Sequence, residues 1–275
     1  MWGAVWRGAL LILAILALDA FWLEPSSIRV VQHQIAFGRH GVSPLRGLRI
    51  AVITDLHAGA PYIDERKIET IVHLALGLRP DLVLLAGDYV TQGVIGRTDI
   101  PVEKTASLLK PLRARLGVFA VLGNHDHWAD ANRISLAFRK VGIQVLMNES
   151  VQLKATGPPL YLVGIGDHVT AHDNVPLAFR GMPKSVVALC FTHSPDVFPD
   201  LPPACGLTVA GHTHGGQVNL PIVGRLIVPS RFGQRYAAGL IAENGRLLFV
   251  STGIGTSILP VRFRVPPEIS LLEIR

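Results

Sequence analysis

Residues 48–57 of this 275-residue chain read LRIAVITDLH, an apolar run that ends in two metal-competent side chains, Asp55 and His57. Such a run predicts a strand over 48–54 that is buried on both faces. Four more predicted strands end in similar polar blocks. Strands 82–86, 118–122, 186–192 and 207–210 run into Gly87-Asp88, Gly123-Asn124-His125-Asp126, His193 and Gly211-His212-Thr213-His214. Because open α/β sheets bind ligands beyond the carboxyl ends of their strands, we expect the five ends to share one site.

The remaining pattern predicts an α/β fold. Further strands are expected over 160–165 and 247–251, and helices over 64–76, 102–112 and 130–141. Asp64 is the expected N-cap of its helix, and Gly77 and Gly142 are the expected C′ residues of theirs. Strand–helix alternation favours parallel pairing in the first half, whereas the strand-rich second half favours a further sheet with antiparallel hairpins. The predicted architecture is therefore two packed sheets flanked by helices.

Composition excludes a disordered chain, because 49% of residues are hydrophobic and 17% are charged. The net charge of +6 suits an acidic partner, but the basic residues are scattered and no basic-aromatic tract occurs, so no nucleic acid is expected. Cys190 and Cys205 are the only cysteines. They support no disulfide framework and no thiolate metal site, and are expected to be small buried side chains.

The N-terminal segment 2–23 is apolar except for Arg7 and Asp19. As a helix of about 22 residues it would reach roughly 33 Å, enough to cross a bilayer. An uncleaved anchor over 1–25 is favoured over a signal peptide and over a buried soluble helix, because no small-x-small cleavage site follows. A linker and first strand are expected over 26–47, and the catalytic domain over 48–275. Orientation stays open, because Arg7 competes with Arg29 and Arg39.

The polar blocks hold aspartate, asparagine and histidine but no thiolate, a donor set that suits Mn²⁺, Fe or Zn²⁺. An imidazole binds one metal, whereas a carboxylate can bridge two. Asp88 is the expected bridge, since Gly87 before it allows the backbone to approach the metals. Two cations held around one carboxylate could lower the pKa of a shared water, so that a hydroxide nucleophile forms at neutral pH.

The ordered blocks resemble the calcineurin-like metallophosphoesterases from about residue 48 to the C-terminus. The resemblance implies a four-layer αββα sandwich and two metal ions. One metal would be held by Asp55, His57, Asp88 and His214, and the second by Asp88, Asn124, His193 and His212. It also implies that His125 acts near the leaving group and that Asp126 orients it. His168 stands where similar proteins often carry an acid.

A narrower resemblance concerns the bacterial membrane-associated branch. The block at 211–217 and the Pro266-Pro267-Glu268 ending, behind an apolar N-terminus, are similar to proteins linked to UDP-2,3-diacylglucosamine hydrolysis in lipid A synthesis. A phosphorylated small-molecule or lipid-linked substrate and a bacterial membrane location are therefore expected. The alternatives are a metal-dependent nuclease and a catalytically silent membrane-bound binding module.

Two further interpretations concern the region after the last metal block. Arg231 and Arg235 could bind a substrate phosphate, since arginine suits bidentate phosphate contacts, or lie on a solvated hairpin. The apolar run 220–228 is expected to be an ordinary core strand, with an entry for an acyl chain as the alternative.

Overall fold

The computed structural model describes residues 2–36, 45–155, 157–183 and 186–275. The helices are α1 (Trp2–Leu18), which continues through a π-helical turn (Asp19–Leu23) into α2 (Glu24–Ser26), then α3 (Glu65–Gly77), α4 (Val102–Leu109), α5 (Asn124–Ala129), α6 (Ala131–Lys140) and α7 (Val175–Ala178). The strands are β1 (Arg29–Ile35), β2 (Arg49–Ile53), β3 (Leu82–Ala86), β4 (Val118–Val121), β5 (Gln144–Val145), β6 (Glu149–Leu153), β7 (Leu160–Gly164), β8 (Ala188–Phe191), β9 (Cys205–Ala210), β10 (Asn219–Leu220), β11 (Gly224–Arg225), β12 (Gly239–Glu243), β13 (Arg246–Val250) and β14 (Glu268–Ile274). Short 3₁₀ turns lie at Pro195–Asp200, His214–Gly216 and Gly233–Tyr236.

The strands form two six-stranded sheets, which confirms the α/β prediction. The first has the order β1-β14-β2-β3-β4-β5, with β2 to β5 parallel. The second has the order β12-β13-β9-β8-β7-β6, with a parallel centre and antiparallel pairs at both edges. The hairpins expected in the second half are these two edge pairs.

The sheets pack face to face, and each has a second apolar face outside. In β2, Ile50 and Val52 join the cluster between the sheets, whereas Ala51 and Ile53 join the cluster under α3, α4 and α6. Both faces of β2 are therefore dry, which is why its sequence is continuously apolar rather than alternating. The outer face of the second sheet is covered by α7 and the turn at Pro195–Asp200. The four-layer prediction is confirmed, although the fourth layer is thin.

Capping was predicted correctly in two of three cases. Asp64 caps α3 by accepting a hydrogen bond from Lys67 N at 2.8 Å. Gly142 follows α6 with φ +91°. The C′ prediction for Gly77 is wrong, because α3 runs through Gly77 and the left-handed residue is Arg79, with φ +49°.

The expectation of two unbonded cysteines is wrong. Cys190 in β8 and Cys205 in β9 are fully buried and form a disulfide, with their Cα atoms 5.6 Å apart. Their strands are neighbours in the second sheet, a juxtaposition that a separation of 15 residues does not reveal. The cysteines are buried as expected, but they also cross-link the sheet.

The apolar run 220–228 is not a core strand. Only Leu220, Gly224 and Arg225 of the run belong to the short β10–β11 ladder, and Leu226 and Ile227 are exposed. Ile222 and Val223, at the turn between the two strands, are exposed as well. The run therefore forms an apolar rim on the surface.

The N-terminal helix stands away from the domain. Residues Val5–Ser26 form one stretch long and apolar enough to cross a membrane, and almost none of it is buried. Its far end is fixed to the domain, because Ala20 O accepts from Arg262 N at 2.9 Å and Phe21 O accepts from the Tyr62 hydroxyl at 2.6 Å. The first strand, β1, then pairs in parallel with β14. Residues 37–44, including Arg39, lie outside the described residues.

Candidate metal centre

The polar blocks at the ends of β2, β3, β4, β8 and β9 meet at one edge of the two sheets. Three sets of ligand atoms each lie within 4.8 Å of one another. They are Asp55, His57 and His214; His57, Asp88 and His125; and Asp88, His193 and His212. Side chains that are up to 159 residues apart in sequence, from Asp55 to His214, are thus neighbours in space. The convergence that the strand ends predicted is present.

Asp88 lies at the centre of this cluster. Its Oδ2 is 3.2 Å from His193 Nε2 and 3.6 Å from His57 Nε2. Its Oδ1 accepts a hydrogen bond from His125 N at 2.9 Å, which fixes the carboxylate plane. One carboxylate oxygen therefore faces His57 of the first set and His193 of the third, as a bridging ligand would. The first and third sets are called the outer ligand sets below.

The imidazoles present their lone pairs to this centre. His193 Nδ1 lies 2.8 Å from Ala86 O, the arrangement of an N–H donor, so its Nε2 is left to face Asp88. His57 Nε2 and His214 Nε2 approach to 3.2 Å, and His214 Nε2 is 3.4 Å from Asp55 Oδ1. Facing imidazole nitrogens in a buried site need a proton or a metal ion between them. The arrangement fits a metal ion.

Asn124 supplies a further donor. It is buried at the N-terminus of α5, and among the described residues its Oδ1 has no hydrogen-bond partner. A buried carbonyl oxygen without a partner is costly, and a hard cation would satisfy it. This unpartnered oxygen is the observation that fits Asn124 to a metal.

Burial keeps several imidazoles in the form that binds metals. It lowers the pKa of His57 to about 3 and that of His214 well below the ordinary value. Burial also lowers the pKa of His212, to about 4. Burial raises the pKa of Asp55 to about 6, so this carboxylate ionises readily only beside positive charge. At His193 burial disfavours the charged imidazolium, but the charge of the Asp88 carboxylate and its hydrogen bond outweigh this effect and raise the pKa of His193.

The backbone at the ligands is left-handed. Five of the seven predicted ligands have positive φ: Asp55 (+53°), His57 (+45°), Asp88 (+56°), His212 (+70°) and His214 (+50°). Such values are uncommon outside glycine, and their concentration here marks a site whose surroundings impose the conformation. The strained turns aim the side chains back over the strand ends.

Gly87 permits the two loops at the centre to approach closely. It has φ +94°, and a Cβ placed on it would lie 2.6 Å from His193 Nδ1 and 2.8 Å from Gly123 N. No side chain fits in that space. The sequence predicted a close backbone approach at Gly87, and in the structure the groups that approach it are His193 and Gly123.

Asp126 holds the ligand loops together. Its carboxylate accepts from the backbone N–H groups of Gly123 at 2.9 Å, Asp88 at 2.8 Å and Tyr89 at 2.9 Å. It thereby ties the loop after β3 to the loop after β4. The orienting role toward His125 that the resemblance implied stays a prediction.

His125 lies where the centre opens to solvent. It lines a cleft of about 480 Å³ together with Asp88, Asn124, His212 and Trp128. The residue is 9% exposed, and its ring centroid lies 5.1 Å from that of the exposed Trp128. A ligand in this cleft would contact His125 and the proposed metal ligands at once.

Arg231 and Arg235 do not line this cleft. Arg231 donates to Asp196 O at 2.8 Å, and Arg235 donates to the Glu243 carboxylate at 2.6 Å. Arg235 also packs over the Tyr236 ring. The structure therefore shows both guanidiniums paired near the second sheet, and their assignment to substrate stays a prediction.

Sequence reasoning missed Arg262, the largest fully buried side chain of the described residues. Its guanidinium donates to the carbonyls of Thr252, Gly253, Gly255 and Val265. This loop passes directly behind the first ligand block, since Gly255 N donates to Asp55 O and Ile254 N to Thr54 O. Arg262 thus braces the metal loop from behind. No motif marks it, because a lone arginine in a loop usually predicts surface.

The four-layer sandwich and its edge of buried aspartate, asparagine and histidine define a metal-dependent hydrolase of phosphoric esters. A model of the calcineurin-like phosphoesterase family matches residues 48–216, and the chain belongs to that family.

Three relatives match most of this chain at modest identity. Phosphodiesterase YaeI of Escherichia coli is 30% identical over 92% of this chain and 90% of its own length. The UDP-2,3-diacylglucosamine pyrophosphatase LpxG of Chlamydia trachomatis is 27% identical over 91% of this chain and 90% of its own. A bovine transmembrane protein with a metallophosphoesterase domain is 27% identical over 90% of this chain and 57% of its own.

The central place of Asp88 predicts an outsized effect on metal content. We expect Asp88→Ala to lose most bound Mn²⁺, because it removes the carboxylate that faces both outer ligand sets, whereas His214→Ala should lose only part. Inductively coupled plasma mass spectrometry on gel-filtered protein measures the stoichiometry. Asp99→Ala, which removes a carboxylate whose side chain is 84% exposed, is the control and should retain wild-type content. Full Mn²⁺ content in Asp88→Ala would refute the bridging position.

Proposed function

We propose that this chain hydrolyses phosphodiester or pyrophosphate bonds of a lipid-linked or small phosphorylated substrate at a bacterial membrane, using two divalent metal ions. The position of Asp88 carries the proposal, because one of its oxygens faces imidazoles of both outer ligand sets. A single-ion site would not need a carboxylate shared in this way. An enzyme with two adjacent cations is suited to clamp a phosphate group.

The ligands divide into two sets that share Asp88. One set comprises Asp55, His57, Asp88 and His214, and the other comprises Asp88, Asn124, His193 and His212. When bound, the cations would supply an activated water and offset the charge on phosphate oxygens. Nitrogen and oxygen donors without thiolates favour Mn²⁺, with Fe and Zn²⁺ as alternatives. Both cysteines are in a disulfide and are not available as ligands.

His125 is proposed to assist the departing oxygen. Burial lowers its pKa, and a neutral imidazole still carries one N–H that can donate a hydrogen bond to that oxygen. Its main-chain N–H already positions Asp88, so the same residue fixes a metal ligand and faces the cleft. Asp126 supports both tasks by holding the two loops in register.

The N-terminal helix is proposed to anchor the enzyme in the membrane. Its aliphatic side chains are largely exposed, for example Leu10 at 64% and Leu13 at 61%, so it is not the buried helix of a soluble core. Exposed aliphatic surface over 22 residues is stable in hydrocarbon rather than water. The hydrogen bonds from Arg262 and Tyr62 to the end of this helix would hold the domain against the membrane surface.

The disulfide favours a catalytic domain outside the cytoplasm. Disulfides persist in oxidising compartments and are rare in the reducing cytosol. The positive-inside rule does not decide the orientation, because Arg7 on one flank of the helix competes with Arg29 and Arg39 on the other, so the disulfide carries this part of the proposal. We therefore propose that the helix crosses once, with Arg7 inside and the metal centre outside.

Activity tests the proposal directly. We expect the Mn²⁺-supplemented full-length protein in detergent to hydrolyse bis-p-nitrophenyl phosphate faster than p-nitrophenyl phosphate, and to lose activity in EDTA. UDP-2,3-diacylglucosamine belongs in the same panel because the LpxG relative acts on it. Single-stranded DNA cleaved faster than every other substrate would favour a nuclease instead. An inactive protein that binds no metal would be a silent module.

His125→Ala should lower kcat on bis-p-nitrophenyl phosphate about 10²- to 10⁴-fold, the usual contribution of proton-transfer assistance. Metal content should stay at the wild-type level, because the ring completes neither of the two proposed ligand sets. His168→Ala is a matched control, since its ring pairs with Asp173 at 2.9 Å outside the cleft. Undiminished kcat in His125→Ala would remove the residue from the mechanism.

The disulfide gives a test of sidedness. Protein from cells quenched with acid and denatured in a maleimide-polyethylene glycol should run unshifted, because both thiols are bonded. After reduction the same sample should gain two labels, which also controls for reagent access. Two labels without reduction would show free cysteines in the cell and would remove the argument for an external domain.

A further inference from the structure

An apolar groove opens directly beside the metal cleft. Its walls are Val218, Leu226, Ile227, Pro229, Ile258, Leu259 and Val261, and its volume is about 400 Å³. Pro229, Ser257, Ile258 and His214 line both the groove and the cleft, so the two cavities are contiguous. A molecule whose phosphate lies at the metal centre could therefore extend a second part into the groove.

The groove is a built feature rather than a loose loop surface. The side chain of Gln217 crosses it, accepting from Ser257 N at 2.6 Å and donating to Leu259 O at 3.2 Å. Backbone hydrogen bonds join Phe263 N to Gln217 O and Asn219 N to Phe263 O, both at 2.9 Å. The two walls are thereby fixed at a set distance.

The exposed side chains of the groove are large and aliphatic. Leu226 is 68% exposed, Ile227 79%, Ile258 69% and Leu259 47%. Ile258 also has φ +63°, which a β-branched residue adopts only when its surroundings force it. A contiguous apolar surface of this kind is unfavourable in water and marks a binding site.

The position of the groove identifies its occupant. Its wall at Leu259 and Val261 leads directly to Arg262, whose N–H bonds Ala20 O at the end of the N-terminal helix. Three residues span at most about 10 Å, so the groove opens close to where the proposed anchor leaves the bilayer. Hydrocarbon chains of membrane lipids are the apolar ligands available at that level.

We propose that this groove binds an acyl chain of a membrane-resident substrate while its phosphate ester lies at the metal centre. The inference rests on the proposed phosphoesterase function and membrane anchor, and it narrows the substrate to an acylated or long-chain phosphoric ester. Chain length would then set specificity, because each methylene buried in the groove improves binding about threefold to fourfold.

The test uses p-nitrophenyl alkyl phosphodiesters with methyl, butyl and octyl chains, on full-length Mn²⁺-loaded protein in lipid nanodiscs. The measured quantity is the ratio of kcat/KM for the octyl ester to that for the methyl ester. We expect a wild-type ratio of at least about 100. Leu226→Gln combined with Leu259→Gln should lower it at least tenfold. Both side chains are exposed, so folding should tolerate the changes.

Leu136→Gln is the control, since Leu136 is 58% exposed on α6 and lines neither cavity. It should keep the wild-type ratio. Partitioning of the octyl ester into the disc raises the ratio equally in every variant, so the difference between variants is decisive. A flat wild-type ratio, or equal ratios in all three proteins, would overturn the acyl site. Failure to cleave even the methyl ester would instead contradict the proposed function.

Discussion

The structure depends on one unfavourable arrangement, the burial of aspartate, asparagine and histidine side chains together at a single sheet edge. Asp55, His57, Asp88 and His193 are almost without solvent contact. Among the described residues the Oδ1 of Asn124 finds no protein partner. Polar groups so enclosed are costly unless something satisfies them. A divalent metal site would satisfy them together, and much of the surrounding architecture keeps these side chains assembled.

That architecture works through the backbone. Glycines at the strand ends let the loops approach to distances that no side chain allows, and left-handed turns point the ligands inward. Asp126 fastens the loops after β3 and β4, and Arg262 braces the loop behind Asp55. Since Arg262 also donates its N–H to Ala20 O, the same residue joins the metal loop to the N-terminal helix. The loop behind Asp55 and the end of the N-terminal helix are thus both held by Arg262.

The features that could be predicted from the sequence are those encoded by consecutive residues, such as buried strands and the polar residues that follow them. Apolar runs such as 48–54 and 82–86 differ from the observed strands by at most a residue at each end, because burial on both faces leaves a continuous apolar signal. The candidate ligands were identified because polar residues directly follow those runs. Gly77 was wrongly predicted to end its helix. It remains helical, and Arg79 adopts the left-handed conformation instead.

What the sequence left hidden depends on contacts between distant segments. The Cys190–Cys205 bond follows from the adjacency of β8 and β9, and Arg262 from four carbonyls that only the folded loop gathers. The run 220–228 has the composition of a core strand, but none of the residues that the structure describes forms a layer over it, so its aliphatic side chains remain exposed. Apolar composition predicts burial only when a partner surface exists. Here the partner surface that fits the uncovered rim, beside the metal cleft and the proposed anchor, is a lipid chain, which the sequence of the protein does not encode.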